Sequence, residues 1–262
     1  MSSVALRLVL APTLIALASL AGRRWGPTIS GWLVGLPLTS GPVVFLLAIT
    51  YGTSFAAHAA LGTLAGVISL TVYSLGYGWT ARRFGWPLSV AVGSVAFAVA
   101  TLALQHVTLA LPVLISSILI ALVIALALMP APARQAPAVV HGAAPRWDLP
   151  ARMAIAAAFV LLLTGAASLL GPQLTGLVSP FPVYATILAV FTHRQQGGRA
   201  AADVLRGMLV GLFAFVAFFL IIATLIERAG VGAAFVAAIV AALLAQGASL
   251  WLMRRQRRKL AS

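Results

Sequence analysis

Nine apolar runs divide the chain, and they constrain the fold more than any other feature. They cover residues 4–21, 27–49, 53–79, 86–104, 107–129, 151–170, 172–191, 200–226 and 231–253. Each is near the roughly 20 residues a helix needs to cross the hydrocarbon core. Inside lipid every backbone N–H and C=O must be satisfied within the protein, which leaves helices or a closed barrel. The period-2 alternation of barrel strands is absent, so the runs read as helices. Composition agrees: 62% of the 262 residues are hydrophobic and 8% charged, against about 25% charge in a soluble domain. The expectation is an all-α membrane protein with nine transmembrane helices, its main partner the lipid bilayer.

The net charge of +14 would point to nucleic acid in a soluble protein. Its distribution gives another reading. Arg23, Arg24, Arg82, Arg83, Arg134, Arg146, Arg152, Arg194, Arg199, Arg206, Arg254, Arg255, Arg257, Arg258 and Lys259 all fall at alternate loops, and only Arg7 and Arg228 fall at the others. Basic residues are retained on the cytoplasmic side. The pattern therefore places the N-terminus outside and the C-terminus in the cytoplasm of a bacterial inner membrane, with no nucleic-acid partner. Trp25, Trp79, Trp86, Trp147 and Trp251 sit beside the basic loops, as headgroup-level tryptophans do. The opening residues also have the small-residue character of a secretory signal. The internal repeat argues against that, because the same pattern recurs deep in the chain.

Sliding the chain on itself by 145 residues superposes Gly26-Pro27 on Gly171-Pro172, Gly31 on Gly176, Pro37 on Pro182, Gly52 on Gly197, Gly62 on Gly207 and Gly66 on Gly211. Residues 7–66 share 14 identities with their counterparts, where biased composition alone gives about 6. Gly and Pro encode backbone shape rather than greasiness, so their matches carry the argument. Residues 1–104 read as repeat one, 105–129 as a connecting span and 130–150 as a cytoplasmic Pro/Ala linker. Residues 151–254 read as repeat two and 255–262 as a basic cytoplasmic tail. Four spans plus one reverse the second copy, giving a 4+1+4 inverted-topology repeat with a broken second helix in each repeat. Such repeats are a recurring plan of secondary transporters.

The breaks are the candidate substrate site. Gly31, Pro37 and their neighbours Ser30, Thr39 and Ser40 interrupt the second span. Thr175, Gly176, Pro180, Pro182, Tyr184 and Thr186 interrupt the seventh. Proline removes a donor and kinks a helix, and paired broken helices in matching halves point to a transport site. The alternative is close packing, since small residues let membrane helices approach. Arg7 and Arg152 occupy matching positions and are candidate anion contacts, unless they snorkel to the interface. Asp203 and its counterpart His58 are candidate proton or ion relay residues, with structural pairing of Asp203 to Arg206 or Arg152 as the alternative.

There is no cysteine, no metal-ligand spacing, no nucleotide loop and no nucleophile elbow. With three acidic residues, paired-carboxylate catalysis has no material. The reading is a non-enzyme with no cofactor and no metal.

The stretch from Gly176 to Leu220 resembles the GlpM-type small inner-membrane proteins. The likeness rests on Gly176-Leu177-Val178 running to Phe181-Pro182, then on Ala201-Ala202-Asp203 ahead of Gly207. It covers mainly 151–254 and, through the repeat, more weakly 5–104. It implies a fused double version of a four-span unit, with a connection to envelope polysaccharide. The first copy departs at His58, where the second has Asp203. The functional expectation is a small permease for an unknown small-molecule substrate, a neutral polar solute or small anion. The alternative is a non-transporting membrane helper for envelope polysaccharide or lipid handling. Assembly into a homo-oligomer is compatible with either.

Overall fold

A computed structural model describes residue 13 and residues 27–37, 40–107, 109–130 and 147–261. The run 4–21 (Thr13 apart), Arg7, Thr39 and linker residues 131–146 lie outside the described residues, as do the side chains of Ser30 and Arg152. Among the described residues every element is a helix: α1 Pro27–Val34, α2 Ser40–Tyr51, α3 Thr53–Thr80, α4 Trp86–Leu104, α5 Leu111–Leu128, α6 Asp148–Val178, α7 Val183–Gln196 and α8 Gly198–Ala261. Five stretches are long and apolar enough to cross a membrane: Thr53–Thr80, Trp86–Leu104, Leu111–Leu128, Gly171–Gln196 and Gly198–Trp251.

Glycine supplies the corners. Gly52 separates α2 from α3 with φ 92 and ψ 169. Its counterpart Gly197 separates α7 from α8 with φ 89 and ψ 170. This backbone region is open almost only to glycine. It lets two helices meet with no loop between them. Val43, Leu46 and Leu47 pack with Phe55 and Ala59, so α3 doubles back on α2. Gly171 (φ 73, ψ 171) bends α6, and Pro172 then opens a fresh turn where its missing N–H costs nothing. Gly230 (φ 78, ψ 171) bends α8 in the same way.

The second run is two helices, α1 and α2, with a non-helical gap after Val34. The backbone of α8 continues to Ala261, into the run read as the basic tail.

Burial separates an inner set of helices from an outer one. In α3, 67% of the most apolar window is buried, against 22% in each of α4 and α5. The outer helices turn Val95, Val99, Ile120 and Val123 outward, each about 60% exposed. So does the far end of α8, through Val236, Leu243 and Leu244. An apolar belt of this extent is unfavourable in water and suited to lipid. The inner core joins α3, α7 and the first part of α8 through Leu64, Val67, Tyr73, Ala185, Ala189, Leu205, Leu209 and Phe219.

Candidate functional site

The two broken segments are built into the centre by close backbone contact. In α1, a Cβ on Gly31 would collide with the Val204 carbonyl, and one on Gly35 with the backbone of Gly211. From the α8 side, Gly207 faces the Thr28 carbonyl and Gly211 the Trp32 carbonyl. The same contacts recur with the copies exchanged. Gly176 faces the Ala59 carbonyl, Gly62 the Gln173 carbonyl, and Gly66 the Leu177 carbonyl and the Pro180 ring. Each short segment thus seats on a long helix from the other half of the chain, and the 145-residue shift maps one crossing onto the other. Thr63 ties the second crossing, its Oγ1 donating to the Ala59 carbonyl at 2.8 Å and approaching the Gly176 carbonyl at 3.2 Å.

Between the crossings the breaks meet. Ser40 Oγ donates to the Ser179 carbonyl at 2.9 Å. Beside it lies a cavity of about 30 Å³, room for a water-sized guest. Its wall contains three pairs that the repeat relation equates: Leu36 with Phe181, Ser40 with Ala185, and Leu70 with Phe215. Pro180, Pro182 and Tyr184 also line it. The cavity is therefore lined from both halves of the chain, at positions that the 145-residue shift superposes.

Three hydroxyls here are buried without a hydrogen-bond partner: Thr175, Ser179 and Tyr184. A buried unpaired hydroxyl costs about 1–3 kcal/mol. Tyr184 opens α7, whose first turn has no intrahelical acceptors for its amides. Among the described residues, only Val183 and Thr186 of that turn find backbone partners, the Phe181 and Pro182 carbonyls.

Away from the cavity the copies differ in chemistry. On the α3 side, Tyr73 OH pairs with Thr186 Oγ1 at 2.6 Å, and one turn on Tyr77 OH lies 3.4 Å from His193 Nδ1. The matching positions on α8 are Phe218 and Ile222, facing a stretch where Thr186 and His193 are replaced by Gly41 and Ala48. Phe218 lies 3.6 Å from where a Gly41 Cβ would stand. Beyond the cavity, one flank is a polar ladder and the other is a hydrocarbon seal.

Of the expected site residues, Gly31, Ser40, Thr175, Gly176, Pro180, Pro182, Tyr184 and Thr186 are gathered at or beside the crossings, and Pro37 lies in the first break. The relay pair is not gathered. His58 is exposed and bonds its own helix at the Ser54 carbonyl, 2.8 Å away. Asp203 is half-buried next to Val204, at the other crossing. Arg206 closes the end of α5, its Nη2 donating to the Met129 and Pro130 carbonyls at 2.8 and 3.1 Å.

Sequence reasoning missed Thr63, Tyr73, Tyr77 and His193, and a bridge that fixes α1. In that bridge Trp32 Nε1 donates to Ser249 Oγ, and Gln246 Nε2 donates to the Trp32 carbonyl, both at 2.8 Å. The available signal was that three of the four tyrosines fall at 73, 77 and 184, the first two on one helix face. Among the described residues no three His or acidic side chains gather to hold a metal. No family model, curated protein or solved structure matches the chain.

Proposed function

We propose that the chain is a nine-pass inner-membrane permease of inverted-repeat build, a fused double version of a GlpM-like unit, that moves a small polar solute through the crossing of its two broken helices. Counting supports nine passes. Gly198–Trp251 is 54 residues, about 80 Å of helix, too long for one crossing of a core about 30 Å thick. The Gly230 bend divides it into two. Residues 27–51 count as one broken pass, 171–196 as its counterpart and 148–170 as the first pass of the second copy; by sequence alone, the apolar run 4–21 is the first pass of the other.

Direction supports inversion. Thr28 and Trp32 meet Gly207 and Gly211 in order, so α1 runs with the first half of α8. Gln173 and Leu177 meet Gly62 and Gly66, so the other short segment runs with α3. Since α3 doubles back on α2, the two long helices run oppositely.

The observation that carries the transport reading is the cavity lined by equated pairs from both copies, with unpaired hydroxyls beside it. A membrane helper has no use for a polar void at the crossing of two broken helices. The test is Ala185→Cys in this cysteine-free chain, treated with a small membrane-impermeant thiol reagent in sealed vesicles. Modification from an aqueous side, slowed by blocking the cavity with Leu70→Trp, is expected. No modification under any condition would favour the helper.

A further inference from the structure

The geometry points to the occupant of this site: a small monovalent anion, held by the N-terminal turn of α7 and the hydroxyls of Tyr184 and Ser40. The inference rests on the transport reading and names its substrate class. Both half-helices that begin at the breaks, α2 at Ser40 and α7 at Val183, direct their N-termini toward the cavity that Ser40, Val183 and Tyr184 line. A helix N-terminus carries about half a positive charge, and half-helix ends of this kind recognise anionic groups in transporters.

Two independent observations join the dipoles. Tyr184 is 7% exposed, and its buried hydroxyl has no acceptor. Among the described residues the cavity wall contains no acidic side chain. The site offers donors: the Tyr184 hydroxyl, the first-turn amides of α7, and a Ser40 proton now given to the Ser179 carbonyl. A metal cation would find no carboxylate among the described residues of the wall. A solute bearing only donors would leave the amides unanswered. The volume selects a guest of few atoms. The basic loops around Arg194 and Arg199 raise the local anion concentration at the cytoplasmic mouth.

The experiment is thermal unfolding of the purified full chain in detergent at constant ionic strength, with sodium gluconate replaced stepwise by chloride, nitrate or formate. A ligand that binds only the folded state raises the melting temperature in a saturable way. At least one of the three is expected to do so. Tyr184→Phe should shift the half-saturating concentration upward at least tenfold, and Ala185→Asp, which installs a carboxylate at the wall, should abolish the response. Tyr51→Phe, at the exposed end of α2, should leave it unchanged. If none of the three anions raises the melting temperature above gluconate, or if Tyr184→Phe and Ala185→Asp respond like the parent chain, the anion assignment is overturned. The transport reading fails separately, by an Ala185→Cys variant that does not react. An Ala185→Cys variant that reacts, in a chain with no anion response, would mean a permease for an uncharged solute.

Discussion

The two crossings share a backbone and differ in chemistry. Gly31 on Val204 and Gly176 on Ala59 are the same contact in exchanged copies, as are Gly211 on Trp32 and Gly66 on Leu177. Only glycine permits such approach, so these positions cannot drift without opening the crossing. A few residues further along, the constraint is gone. Tyr73 with Thr186 is a hydrogen bond on one flank; Phe218 against Gly41 is hydrocarbon on the other. In the proposed fused double unit each flank is free to specialise while the shared crossing stays fixed, whereas a self-paired unit would have to serve both flanks with one sequence.

Breaking the shared part should have the largest effect. Gly31→Val and Gly176→Val both force a side chain into a carbonyl of the facing helix, and each is expected to cost about 3 kcal/mol or more. The two losses should be alike within about 0.5 kcal/mol. Gly165→Val is the control, because nothing lies within 4 Å of a Cβ there. Unfolding of the purified chain in detergent measures all three, and a large loss in only one crossing variant would break the equivalence.

The flanks should respond unequally and less. Phe218→Tyr buries a hydroxyl against Gly41 and is expected to cost about 1–3 kcal/mol. Adding Gly41→Thr rebuilds the pair found on the other flank and should recover about 1 kcal/mol, read from the double-mutant cycle. Tyr73→Phe should cost about 1 kcal/mol for its 2.6 Å hydrogen bond. Tyr77→Phe should cost less, because its contact with His193 is 3.4 Å and near the limit of a useful bond.

The sequence made the backbone legible and left the pairing of elements hidden. Gly52, Gly197, Pro37 and Pro182 could be read directly, because glycine at positive φ and proline without an N–H report local conformation whatever surrounds them. That α1 seats on α8 and not on its own copy's α3 was not legible, since a stripe of small residues does not name its partner. Tyr73 and Tyr77 were hidden because a tyrosine in an apolar helix reads as core until its hydroxyl's partner is known. His193 was hidden because its partner lies 116 positions away in sequence. The His58–Asp203 match was legible as a match, yet the two residues sit at different crossings. Equivalence under a repeat places residues at matching positions, not in contact.

The central claim is that the copies lie head to tail in the bilayer, and one pair of positions tests it directly. Phe84 and Ala229 are 145 residues apart and both exposed, each just before the fourth helix of its copy. Phe84→Cys and Ala229→Cys, made singly in the cysteine-free chain and probed in intact cells with a membrane-impermeant maleimide, should be labelled from opposite sides, Ala229→Cys from outside and Phe84→Cys only after the membrane is opened. Labelling of both from the same side would contradict the account.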